Sequence, residues 1–183
     1  MKMQRCVSLR GWAFNLVERP ACKVRGMHEY ERQDTTKTLA EGIAEYYEQN
    51  PHLSKIRGMS PQAQNFFRCH DTAHVVFGCN TSLPDEAVVK LSSIFGTTAG
   101  LSVLRGYALH ESTKIYRELA VKDIVGTFLR AAVIVPRTVM RCFRQRKRWP
   151  WREFSEYRNT PLGRLRSEFG IRVAASENGD SAA

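Results

Sequence analysis

Two histidines four residues apart, His70 and His74, bracket Asp71 in the stretch Phe66-Phe67-Arg68-Cys69-His70-Asp71-Thr72-Ala73-His74, and Glu86 follows twelve residues after His74. Imidazole nitrogen and carboxylate oxygen together make a donor set for a divalent cation, with the carboxylate charge offsetting that of the ion. On a helix, positions 70 and 71 flank position 74, so three donors share one patch of surface. If that patch is buried, each donor needs a partner, because a desolvated polar group without one costs stability. A metal satisfies all three together. The plainer alternative is a pair of hydrogen-bonded core histidines with Asp71 as their partner; the cluster favours metal, where a lone histidine would not. Glu86 stays open between a further ligand and an acid drawn to the first turn of a helix by its dipole.

Two helices have to position these groups. Ser60 and Pro61 form a start signal, a hydroxyl N-cap followed by proline where its missing N–H costs nothing. Ala63, Phe66, Phe67, His70, Ala73, His74 and Phe77 then recur at steps of three and four, and Gly78 supplies the stop. A second start lies at Ser82-Leu83-Pro84-Asp85, with Ser82 and Asp85 spaced as a capping box. Ala87, Val88, Leu91, Ile94 and Phe95 make its apolar stripe, and Glu86 sits near its beginning rather than in that stripe.

His70-Asp71-Thr72-Ala73-His74, eleven residues, then Glu86-Ala87-Val88-Val89-Lys90 resembles the HDxxH-x11-E signature of the Coq4 family of ubiquinone biosynthesis proteins. Thr38-Leu39-Ala40-Glu41-Gly42-Ile43-Ala44-Glu45-Tyr46-Tyr47 is similar to the helix that family places before the motif. Pro161-Leu162-Gly163-Arg164-Leu165-Arg166-Ser167-Glu168-Phe169-Gly170-Ile171 resembles its C-terminal ending. The likeness spans roughly residues 35 to 173, departing in a short segment after Asn50 and in an unusually basic stretch from Arg137. It implies an all-α metalloprotein with His70, Asp71, His74 and Glu86 as ligands and zinc as the metal. Two imidazoles and two carboxylates without thiolate also suit iron, manganese or cobalt. It further implies a polyprenylated hydroxybenzoate-type precursor as substrate and replacement of its ring C1 carboxylate by hydroxyl. Other quinone-biosynthesis enzymes are the implied partners, and organising them without catalysis, as a lipid-binding scaffold, is the alternative role.

The rest of the chain sets bounds. At 183 residues it is long enough for one domain with a real core. The longest apolar run, Ala131 to Val135, is far too short to span a bilayer. Five cysteines (Cys6, Cys22, Cys69, Cys79, Cys142) are an odd number without CxxC spacing, which argues against a disulfide framework and a thiolate zinc site. Cys69 and Cys79 read as buried apolar residues of a reducing compartment. The first 25 residues set Arg5, Arg10, Arg19, Lys23 and Arg25 against Glu18, with no apolar core for a secretory signal. We therefore expect a basic, weakly ordered arm over 1–34, a helical domain over 35–173 and a disordered tail over 174–183; an organellar transit peptide is the lesser reading of the arm. Glu41 to Glu48 should belong to an amphipathic helix with Leu39, Ile43, Tyr46 and Tyr47 on one side and Asn50-Pro51 as its stop, and a helical pattern from Ser112 to about Arg148 should be kinked or split at Pro136. Strand alternation and hairpin turns are nearly absent, so the expected fold is a single all-α domain.

Charge is concentrated. The chain carries a net +10, and residues 137–152 hold Arg137, Arg141, Arg144, Arg146, Lys147, Arg148 and Arg152 with no acid. Phe143, Trp149 and Trp151 are interleaved, and a plain solvated charged face is the alternative reading. Guanidinium on headgroups and indole at the interface suit an anionic membrane surface, and we expect Arg141, Arg144, Arg146, Lys147, Arg148, Trp149 and Trp151 to meet it. Nucleic acid has only the charge in its favour, with no recognition motif beside it, and is not expected as a partner. Peripheral attachment to the inner (cytoplasmic) membrane of a bacterium is the expected location, a mitochondrial inner membrane the alternative; homo-oligomerisation is left open. The adjacent His70-Asp71 also admits a metal phosphohydrolase of the HD type, drawing on His52 or His28 and on Asp123. His110, as a lone histidine, is more simply structural.

Overall fold

The computed structural model describes residues 27–51, 53, 60–108 and 121–173; for 108 and 121–131 it describes the backbone path only. Among the described residues six α-helices follow one another: α1 (Leu39–Gln49), α2 (Pro61–Phe77), α3 (Leu83–Phe95), α4 (Val103–Ala108), α5 (Val121–Phe143) and α6 (Leu162–Phe169). Among the described residues there is no strand, only isolated bridges at Thr38–Pro161 and Thr97–Trp149. The all-α expectation holds.

Local chemistry accounts for the helix ends. Thr38 Oγ1 accepts from the Glu41 N–H while Glu41 Oε2 accepts from the Thr38 N–H, a reciprocal capping box at α1. Ser60 Oγ accepts from the Ala63 N–H, and Pro61 opens α2. Gly78 ends α2 at φ 66°, the left-handed conformation that glycine takes without a Cβ penalty. Ser82 Oγ accepts from the Asp85 N–H at the head of α3, the N-cap half of the expected capping box, while Asp85 Oδ2 accepts from the Ser82 hydroxyl rather than from its N–H. In α5, Pro136 lies inside one continuous helix rather than dividing two. That helix ends at Phe143, so the basic residues 144–148 form a turn and not a helical face. Residues 112–120 lie outside the described residues.

α2 packs against α1 on one side and α3 on another, and α3 packs in turn against α5. The C-terminal segment closes the core: Leu162, Leu165, Phe169, Ile171 and Val173 are buried with Tyr30, Tyr46, Val75, Val76 and Trp149. Arg166 is fully buried among them. Its guanidinium donates to the carbonyls of Val75 (2.7 Å), Val76 (2.9 Å), Tyr30 (2.6 Å) and Arg32. Two of these carbonyls belong to the last turn of α2, where a helix has no donors of its own. Burial pushes the Arg166 guanidinium down to about 10.

Two expectations need correction. The ordered domain starts before residue 35: a 3-10 turn at Glu29–Glu31 buries Tyr30, whose hydroxyl donates to the Cys79 carbonyl and whose own carbonyl accepts from Arg166. Glu45 holds that turn from α1, accepting from the N–H groups of Glu29 (2.9 Å) and Tyr30 (3.2 Å) and from Lys37 Nζ (3.0 Å). The second correction concerns the tryptophans, which are core residues. Trp149 is 1% exposed and Trp151 6%. The Trp149 N–H donates to the Gly96 carbonyl and its own carbonyl accepts from the Thr98 N–H, which turns the indole inward onto Tyr157 and Phe169. The Trp151 N–H donates to Thr98 Oγ1, and its ring lies 6.1 Å from that of Phe66. Arg144, Arg146, Lys147 and Arg148 are exposed around them, and Arg141 is half-buried.

Candidate metal centre

α2 brings His70 and His74 onto one face, one turn apart, and the first turn of α3 brings Glu86 opposite them. His70 Nε2 and His74 Nε2 are 3.2 Å apart. Glu86 Oε1 is 3.2 Å from His74 Nε2, and Oε2 is 3.7 Å from His70 Nε2. The donor atoms of the three residues all lie within 4.8 Å of one another. His74 is fully buried, His70 nearly so, and Glu86 half-buried.

These separations fit a metal. Four donors held about 2.1 Å from one ion at tetrahedral angles are about 3.4 Å apart along each edge. A single proton cannot bridge two Nε2 atoms and a carboxylate together, whereas one cation meets all three. His74 Nδ1 is buried with no hydrogen-bond partner, so this imidazole is held by stacking on Tyr46 at 5.2 Å rather than by a polar anchor. The protonation states also suit ligation. Burial lowers the His70 imidazole, which favours its neutral, ligating form. Burial alone would raise the Glu86 carboxyl, but hydrogen bonds with His70 and His74 outweigh it and hold the group well below the usual carboxylate range.

Asp71 is not brought into this group. One residue on from His70 is about 100° around the helix, which turns Asp71 towards α1, where the Tyr47 hydroxyl donates to Oδ2 at 2.8 Å. Asp71 is buried, and burial raises its carboxyl above the usual range. It therefore stands beside the cluster as the acceptor of a tyrosine hydroxyl. Glu86, left open by its place at the helix start, is the carboxylate that converges on the imidazoles.

A surrounding ring of aromatic residues orients the histidines. Tyr107 on α4 places its hydroxyl 3.0 Å from His70 Nδ1, the nitrogen facing away from the cluster. Such outer partners fix the tautomer and the ring plane of a ligating imidazole. Phe66 stacks on His70 with the planes 6° apart. Gly106 permits this, since a Cβ there would overlap the Phe66 ring. Phe66 also lines a cavity of about 760 Å³, with Cys69, Val103 and Trp151 on its apolar side and Arg105 and Arg152 among its polar lining. Tyr107 and Tyr47 were not singled out by sequence reasoning. Tyr47 lies in the stretch similar to the family's pre-motif helix, but nothing local marks it as the partner of Asp71, and Tyr107 has no sequence signal at all.

His28 caps the 3-10 turn and stacks on Tyr30, away from the cluster. His52 and His110 lie outside the described residues, as does the side chain of Asp123. No described helix is long and apolar enough to cross a membrane. Comparison with protein-family models, with curated protein sequences and with solved structures finds no match to this chain.

Proposed function

We propose that this chain is a Coq4-like metalloprotein of ubiquinone biosynthesis, binding a divalent metal through His70, His74 and Glu86 and acting on a polyprenylated hydroxybenzoate-type intermediate. The observation that carries the reading is the convergence of three motif residues from two helices, 3.2 to 3.7 Å apart. Zinc is the metal the resemblance implies, and the nitrogen–oxygen donor set suits iron, manganese and cobalt as well.

When bound, the metal supplies Lewis acidity towards the carboxylate of the substrate ring. The chain's own residues do the remaining work. Glu86 offsets the charge, and Tyr107 keeps His70 Nε2 directed at the cluster. Asp71 serves either as a further ligand after releasing Tyr47 or as a carboxyl beside the site that holds a proton with it. The cavity next to Phe66 gives an aromatic ring an approach, with Arg105 and Arg152 available to an acid group. The alternative HD-type phosphohydrolase needs an upstream histidine as a further ligand, and the stacking of His28 on Tyr30, away from the cluster, weighs against it.

Metal content by mass spectrometry, on the wild type beside His74→Ala and Glu86→Gln, tests the reading. Near-stoichiometric metal lost in both variants supports the site and leads to a C1 decarboxylation assay on a prenylated hydroxybenzoate. Metal-loaded protein with no turnover, in which His74→Ala loses stability and partner binding together, would point to the organising scaffold instead. No metal after metal-replete purification would remove the chemistry altogether.

A further inference from the structure

We infer that the exposed side of the C-terminal half of α5 is an interfacial face that seats this protein on an anionic bilayer, with apolar side chains entering and arginines at its edge. The inference stands on surface chemistry and is independent of the metal reading.

Between 132 and 143, α5 is apolar where it should be polar. At about 100° per residue, Val135, Val139, Ala132, Phe143, Pro136, Met140 and Val133 follow one another around roughly 160° of its circumference, and all but the half-buried Val139 are exposed. Phe143 is 66% exposed, Met140 52% and Val133 50%. The buried side of the helix is different: Thr138 and Cys142 face α3, with Cys142 Sγ close to Gly96. The core therefore takes one narrow face of α5 and leaves a broader apolar one in solvent. A contiguous patch of that kind marks an interaction site.

Charge identifies the occupant. Next around the helix after Val133 comes Arg137, and Arg144 follows Phe143 in the turn that ends the helix; both are exposed. From 124 to 152 the chain has eight Lys and Arg and no acid. A second copy of this face would bring no negative group to meet those arginines. Nucleic acid would meet them but leave Phe143 and Met140 in water. An anionic bilayer answers both, with phosphate for guanidinium and acyl chain for the apolar arc. The helix lies along such a surface, since no described helix can cross one. Trp149 and Trp151, buried in the core, take no part. Lys147 takes none either, being engaged with Glu168 and lying over the Phe169 ring.

The test is sedimentation of the full chain with vesicles of phosphatidylcholine containing 30% phosphatidylglycerol, against pure phosphatidylcholine. We expect binding to the anionic vesicles that weakens with salt. Phe143→Ser with Met140→Ser should lower the partition coefficient by roughly tenfold or more. Arg137→Gln with Arg144→Gln should lower it by roughly fivefold per arginine at low salt. Lys147→Gln should leave it unchanged, and melting temperature and metal content should stay at wild-type values in all of these variants. No binding by the wild type, equal binding to neutral vesicles, or full binding by the Phe143/Met140 variant would each overturn the inference. So would a dimer in sedimentation equilibrium that the Phe143/Met140 substitutions abolish while vesicle binding persists, which would assign the face to a second copy.

Discussion

Two buried polar clusters flank the C-terminal half of α2, and they are satisfied in opposite ways. Around Arg166, one cation meets four backbone carbonyls, so four of its five N–H donors end on acceptors of the chain itself. Around His70, His74 and Glu86, ring nitrogens and a carboxylate crowd one another, and His74 Nδ1 has no partner. Both clusters are costly to bury. The first is closed and needs nothing from outside, which is the mark of a structural element. The second gathers donors from three side chains close enough that one cation could satisfy them together. Removing a member should therefore cost stability in the first and ligand in the second.

The largest effect belongs to Arg166→Met. It leaves four carbonyls facing an apolar side chain, including two that end α2, and should destabilise the fold by on the order of 4 kcal/mol. Thermal unfolding by circular dichroism measures this; a loss under about 1 kcal/mol would remove the contrast with the histidine cluster. Next comes the ligand effect. Metal at about a hundredfold above its dissociation constant should stabilise the wild type by about 2.7 kcal/mol, read as a rise in melting temperature. Glu86→Gln should abolish that rise while costing the metal-free protein little. If the metal-free variant instead falls as far as Arg166→Met, both clusters are structural.

Smaller effects refine the picture. Tyr107→Phe removes the hydrogen bond to His70 Nδ1 and should weaken metal affinity about tenfold in a competition titration with a chelating dye. An unchanged affinity would mean that stacking on Phe66 alone aligns the ring. The smallest concerns Glu45, which holds the turn whose Tyr30 carbonyl is one of the Arg166 acceptors. Burial raises its carboxyl, but Lys37 and the two backbone N–H groups outweigh burial and lower it overall. Stability from a lowered carboxyl is present above the unfolded value of about 4.3 and is lost as pH falls through the folded value. The advantage of wild type over Glu45→Gln in chemical denaturation should accordingly be full at pH 6 and shrink below about pH 4. A difference constant from pH 6 to pH 3 would show that the carboxylate charge does not hold this turn.

Much of the site was legible because its signals are local. Ser60-Pro61, Gly78 and Ser82-Asp85 place both ends of α2 and the start of α3 from neighbouring residues alone, and the four-residue step puts His70 and His74 on one side. Asp71 shows the limit. Sequence adjacency to His70 made it a ligand candidate, yet one residue on a helix is a change of face, and the face it takes belongs to α1. Trp149 and Trp151 show the same limit on the surface. Surrounding arginines suggested an interface, but a basic run says nothing about which of its members turn inward, and pairing of the Trp149 backbone with the loop after α3 decides that. Arg166 was read only as part of a resembling C-terminal stretch. Its role depends on carbonyls roughly 90 and 135 residues away in sequence, a separation that no local pattern encodes.

By itself the sequence determined the helical class, the starts of both motif helices and the stop of the first, the spacing of the imidazoles and the excess of positive charge. These follow from backbone capping, side-chain period and composition, all of which act within a few residues. Only the tertiary structure decided that Glu86 and not Asp71 meets the histidines, that Arg166 closes the core, and that of the three aromatics in the basic stretch the tryptophans are internal and Phe143 is not. Each of those outcomes depends on which helix packs against which, and packing is settled by the whole chain burying its apolar surface together.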